Sequence, residues 1–152
     1  MSVKLIAMGN VLMKDDGIGI KIAKEIEEAL IQKGIEVIYG ETDFEYCISM
    51  IRPNDFLLIL DGALLGESPG TVTVMPLNRF VSNKREYTQH SYSFLDLLRI
   101  YYPSVGGKIF AIQIKEITYD FGISNILQQK LKGISEDILT KIEIVLQERR
   151  NK

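Results

Sequence analysis

The sequence is short of several things, and each shortage removes a class of function. Cys47 is its single cysteine in 152 residues, so this chain alone can hold no internal disulfide, no thiolate zinc cluster and no iron–sulfur cluster. A reducing cytoplasm is the expected setting. No run approaches the roughly 20 apolar residues of a membrane span, and the opening MSVKLIAMG lacks a signal-peptide core with a cleavage site. A soluble, untargeted protein without membrane insertion is expected. Positive charge is not in excess: the net charge is -2 and the sequence pI is near 5.5. With the basic residues scattered except in the closing QERRNK, nothing concentrates phosphate backbones, and nucleic acid is excluded as a partner. Internal repeats, low-complexity tracts and Pro-, Gly- or Ser-rich linkers are also missing, so residues 1–152 read as one domain.

What is present is an ordinary globular composition, 46% hydrophobic and 25% charged, arranged as alternating strand and helix signals. Residues 3–8 and 55–60 (DFLLIL) are apolar runs with little alternation, the pattern of strands covered on both faces in a parallel sheet. Residues 36–39 and 108–114 are further strand candidates, and 71–75 (TVTVM), closed by Pro76, reads as an edge strand running antiparallel to the rest. Ile18, Ile22, Ile26 and Leu30 fall at helical spacing and predict a helix over 18–33 that Gly34 stops. Shorter helices are expected over 44–51 and 91–101, and a last one from Ser135, as N-cap, to Glu148. The expectation is an α/β sandwich, with ligands bound where parallel strands end at their carboxyl edge.

That rule directs attention to GNVLMKDDGIG, residues 9–19, where two acids lie at the seam between the first strand and the first helix. Asp15 is explained as a turn or helix-start residue, since a carboxylate at a helix N-terminus accepts free N–H groups and gains from the dipole. Two adjacent carboxylates exceed what a cap requires, and a bound cation relieves their repulsion. As a phosphate loop the stretch fails, for it has neither GxGxxG nor GxxxxGK[ST] spacing. Asp61 follows an apolar strand in LDGALLGESPGT. Alone it reads as a turn former, but a neighbouring parallel strand would carry it to the same edge as Asp16. His90, the single histidine, precedes the helix expected over 91–101; alone it reads as a solvated loop residue. Two carboxylates and an imidazole form a hard-to-borderline donor set suited to Ni, Zn, Mn or Fe with coordination positions left open. Cys47, within FEYCISMI, reads as a small buried hydrophobe, and no GxSxG elbow supports a serine nucleophile.

In order and spacing, GNVLMKDDGIG, LDGALLGESPGT and the histidine just before a helix resemble the hydrogenase maturation endopeptidases. The resemblance implies a single-domain, three-layer α/β/α sandwich with a twisted, mostly parallel sheet of about five strands. It also implies an activity: removal of a C-terminal extension from the large-subunit precursor of a nickel–iron hydrogenase once nickel has been inserted. In that family the second acid of the pair, the aspartate ending the later strand and the histidine contact the metal, which here are Asp16, Asp61 and His90; the same three are the candidate catalytic residues. The nickel is implied to arrive with the precursor, no organic cofactor is needed, and the processing protein is a monomer or weak dimer. Metal polarisation of the scissile carbonyl or a water, and an aspartate acting as general base, both stay open as mechanisms. A non-catalytic factor that binds nickel or the subunit, and a plain α/β module, are the alternative functions. Two stretches depart from the family's pattern. Many members have a small, Gly-rich segment after the second strand, where this chain has GETDFEY; many have Gln-Pro after the late strand, where Gln113 here precedes Ile114.

Overall fold

The computed structural model describes residues 2–77 and 91–152. Its elements alternate as read above: β1 (Val3–Met8), α1 (Ile18–Gln32), β2 (Glu36–Glu41), α2 (Phe44–Ser49), β3 (Phe56–Ala63), β4 (Val72–Pro76), α3 (Ser91–Tyr101), β5 (Gly106–Gln113) and α4 (Asn125–Arg150). The five strands form one sheet in the order β2-β1-β3-β5-β4. Four are parallel, and β4 runs antiparallel to β5 at the edge, with Thr73 opposite Ala111.

Side chains alternate across this sheet and so feed two cores. Leu5, Ala7, Leu58, Leu60, Phe110 and Ile112 meet α1 and α4 on one face. Ile6, Met8, Leu57, Ile59 and Ile109 meet α2 and α3 on the other. With apolar cover on both faces, β1 and β3 are buried almost end to end, which is why their sequences carry no polar alternation. The result is a three-layer α/β/α sandwich. Among the described residues no helix is long and apolar enough to cross a membrane.

Local chemistry explains the boundaries. The stripe Ile18, Ile22, Ile26 and Leu30 is buried on α1. At its end Gly34 adopts φ 78° while Ile35 N–H donates to Leu30 O (3.0 Å) and Gly34 N–H to Ile31 O (2.9 Å), the paired bonds of a Schellman stop that favours glycine.

Two boundaries differ from the sequence reading by more than two residues. The last helix begins at Asn125, with Ser124 in the N-cap position, and Ser135 lies buried inside it. Leu127, Leu131 and Ile134 continue the stripe of Ile138, Ile142 and Val145, and burial of that continuous face outweighs the ~1 kcal/mol that Gly133 costs in a helix interior. A Cβ built on Gly133 meets nothing within 4 Å, so Gly133→Ala should raise the unfolding free energy by about 0.5–1 kcal/mol in urea denaturation. The other change concerns β3, which continues through Asp61 and Gly62 to Ala63, each paired with β5. Asp61 is therefore a strand residue and not a turn former.

Candidate functional site

The strand order reverses between β1 and β3: from β1 the chain moves outward to β2, and from β3 it moves the other way. In open α/β sheets such a switch point opens a crevice at the carboxyl ends of the strands. The acidic seam lies there. Ala7 pairs with Leu60 across the two strands, so the β1–α1 loop leaves beside the position where β3 presents Asp61.

Glycines allow the loop to settle directly on the sheet. A Cβ on Gly19 would stand 2.6 Å from Leu60 O and 2.8 Å from Met8 O, and one on Gly9, at φ 138°, would stand 2.2 Å from Asp16 O. Neither position has room for a side chain. The first turn of α1 therefore rests on the ends of both central strands, and Asp16 and Asp61 come to the same edge of the sheet.

The adjacent acids have separate jobs. Asp15 is fully buried with φ 63°, and its carboxylate accepts the backbone N–H groups of Lys115 (3.0 Å), Glu116 (3.0 Å) and Ser124 (2.6 Å). It ties the β1–α1 loop to the β5–α4 loop. Lys14 N–H, donating to Thr118 O at 2.8 Å, adds to this tie. Asp15 is the turn residue expected but does not start the helix: Gly17 holds the N-cap position, and the first turn of α1 contains no acid. The donors that satisfy Asp15 come from the far end of the chain instead of from α1.

Asp16 is 4% exposed, and its Oδ2 accepts Asn10 N–H at 3.0 Å, holding the carboxylate over the loop. Asp61 is fully buried, and its Oδ1 accepts Gly62 N–H at 2.9 Å. By strand parity it shares the α2/α3 face with Leu57 and Ile59. Two oxygen-donor side chains at one edge of the sheet could hold a cation, which would polarise a group bound to it.

The third expected contact, His90, lies outside the described residues. Ser91 opens α3, whose carboxyl end packs with Leu77, Tyr102 and Val105, where β4 ends and β5 begins. Among the described residues no three His, Cys, Asp or Glu side chains converge as a metal site.

Gln113, at the end of β5, positions this edge too. Buried, it accepts Leu65 N–H at 2.8 Å and Glu67 N–H at 3.3 Å through Oε1 and donates to Ile114 O at 2.9 Å through Nε2. It thereby fixes the loop that follows Asp61. The available signal was a polar residue closing an otherwise apolar strand.

Cys47 is a buried residue of α2, as expected. Burial, and next the Asp43 carboxylate, push its thiol up to about 12, so the thiolate that a nucleophile requires is scarce near neutrality. In the folded protein Cys47 should stay unlabelled by a thiol-exchange reagent at pH 8 and react only as the chain unfolds; rapid native labelling would contradict this.

Fold and site thus define a class: a single-sheet α/β domain with paired carboxylates at the β1/β3 switch point. Residues 20–145 match the family described as hydrogenase maturation protease (HycI), and the chain belongs to that family. The matched span contains Asp61 and His90, while Asp16 precedes it. The hydrogenase expression/formation protein HupM of Azotobacter chroococcum mcd 1 is 26% identical over 103 residues, which cover 65% of this chain and 49% of HupM. HoxM of Azotobacter vinelandii, described in the same words, is 25% identical over the same shares. The chain spans about half the length of these curated relatives. Among solved structures, the [NiFe] hydrogenase maturation protease HybD from Thermococcus kodakarensis superimposes with a TM-score of 0.71 at 23% identity, over 93% of this chain and 99% of that one. The HybD endopeptidase from E. coli gives 0.70 at 18% identity, over 95% and 94%. Both likenesses concern the fold.

Proposed function

We propose that the protein is an endopeptidase that removes the C-terminal extension of a nickel–iron hydrogenase large-subunit precursor after nickel insertion. The observation that carries this reading is the pair of buried carboxylates, Asp16 and Asp61, at the β1/β3 switch point of a chain belonging to the maturation protease family. Asp16, Asp61 and His90 contact nickel that the precursor brings, so the metal is part of the substrate. Oxygen and imidazole donors with open positions suit a borderline divalent ion. A precursor-bound nickel held against these groups would present the adjoining peptide bond at the edge of the sheet, and either polarisation by the metal or an aspartate acting as general base would activate the attacking water. The setting is the cytoplasm, the protein acts as a monomer or weak dimer, and no organic cofactor takes part.

The test is incubation of the purified protein with precursor loaded with nickel and with precursor stripped of it, followed by mass spectrometry of the large subunit. Shortening of the loaded precursor by one fixed mass, with the stripped one unchanged, is the expected outcome. A stable complex with full-length product would instead identify a binding factor, and equal trimming of both precursors would remove nickel from recognition.

A further inference from the structure

A cleft of about 280 Å³ opens beside the acidic seam, on the α1/α4 side of the β1–α1 loop. Its walls are apolar: Val11 from the loop, Ile20 from α1, and Phe121 and Ile123 from the β5–α4 loop. Phe121 is 74% exposed, a large ring left in water at the mouth. The volume falls just below the ~300–1,000 Å³ of small-molecule sites, which suits one large side chain with its neighbouring backbone.

The charge on the same cleft has a definite sign. Lys21 and Lys24, one helical turn apart, stand on the α1 wall, both exposed and neither in an ion pair among the described residues. Gly17, the N-cap of α1, lines the cleft as well. Among the described residues that line the cleft, Glu41 is the single carboxylate. The two lysines outweigh it. The exposed amide of Gln128 offers both a donor and an acceptor to a peptide backbone.

We propose that this cleft anchors an extended segment of the precursor in which an apolar side chain is followed by acidic ones. The apolar residue enters between Val11, Ile20 and Phe121, and the acids face Lys21 and Lys24. The proposal rests on the processing function above and adds to it a second contact, separate from the metal-facing acids. Gly17 follows Asp16 directly, so a segment laid over the β1–α1 loop engages the cleft on one side and the switch point on the other. Recognition then depends on chain sequence as well as on metal loading.

Fluorescence polarisation with three labelled, end-capped peptides tests it: Gly-Ser-Gly-Leu-Glu-Glu-Gly-Ser-Gly, the same with Lys-Lys for Glu-Glu, and the same with Ser for Leu. The wild-type protein should bind the first at least tenfold more tightly than either of the others. The double variant Lys21→Glu/Lys24→Glu should invert the charge preference, and Phe121→Ala should erase the preference for leucine. All three positions are exposed, so these variants are expected to fold. Equal affinity for the three peptides, no measurable binding of any, a preference untouched by charge reversal, or binding that requires a free terminal carboxylate would each overturn the proposal. In the precursor assay the double variant should raise KM at least tenfold with kcat little changed. Unchanged KM in a trimming protein would sink the cleft alone. If the wild type trims no precursor, the processing function fails, and the peptide titration still decides the cleft.

Discussion

Asp61→Asn should reduce trimming of nickel-loaded precursor by more than about a hundredfold while the protein remains folded. The magnitude follows from comparison: loss of a group that merely orients a metal ligand typically costs 10–100-fold, and loss of a direct contact costs more. Asparagine has the size of aspartate and keeps a carbonyl oxygen able to accept Gly62 N–H, the 2.9 Å bond now made by Oδ1. What disappears is the negative charge at the switch point. Asp16→Asn should behave in the same way, since its amide oxygen can still accept Asn10 N–H, now at 3.0 Å. Circular dichroism checks the fold, and mass spectrometry of the large subunit checks the cut. Wild-type trimming by both variants would remove these residues from the site. Loss of trimming together with the fold would show that their carboxylates are structural.

The sequence carried the architecture because the architecture is local in its demands. Apolar runs at 3–8 and 55–60 announced strands covered on both faces, and TVTVM before Pro76 announced the antiparallel edge. Gly34 marked the end of α1 through a conformation that glycine adopts most easily. The readings that failed depended on partners elsewhere in the chain. The first ten residues of α4 contain Gly133 and precede Ser135, so local punctuation suggested a later start, whereas packing of Leu127, Leu131 and Ile134 against the sheet makes one helix of 26 residues. Asp61 looked like the residue after a strand because Asp-Gly usually turns the chain; pairing of Asp61, Gly62 and Ala63 with β5 holds it straight. Of the site, the placement of Asp16 and Asp61 at one edge of the sheet followed from parallel order. The role of Asp15 did not, because its three donors are 100, 101 and 109 residues away.

Asp15→Ala should be the most destabilising change in the acidic seam, lowering the unfolding free energy by about 3–5 kcal/mol and the melting temperature by roughly 10–15 °C. A hydrogen bond to a charged group contributes about 1.5–3 kcal/mol, and this carboxylate accepts three. The total stays below their sum because the N–H groups of Lys115 and Glu116, on residues that are not buried, can turn to water. Ser124 N–H lies in a buried residue and has no such recourse. Alanine also meets the left-handed backbone at φ 63°, a conformation costing roughly 1 kcal/mol that asparagine and glycine tolerate. The ordering of variants therefore separates the two causes. Asp15→Asn keeps the backbone preference and one accepting oxygen and should lose least; Asp15→Gly keeps only the backbone freedom; Asp15→Ala keeps neither. Urea denaturation at neutral pH measures all three, and equal losses for asparagine and alanine would discard the hydrogen-bond account. The same series divides the labour of the acid pair. At a temperature where it is folded, Asp15→Asn should trim precursor within several-fold of wild type, while Asp16→Asn, at the adjacent position, should fold normally and fail to trim. The repulsion between the two carboxylates is tolerated because each is held by different donors, one by a loop a hundred residues distant and the other by Asn10 within its own turn.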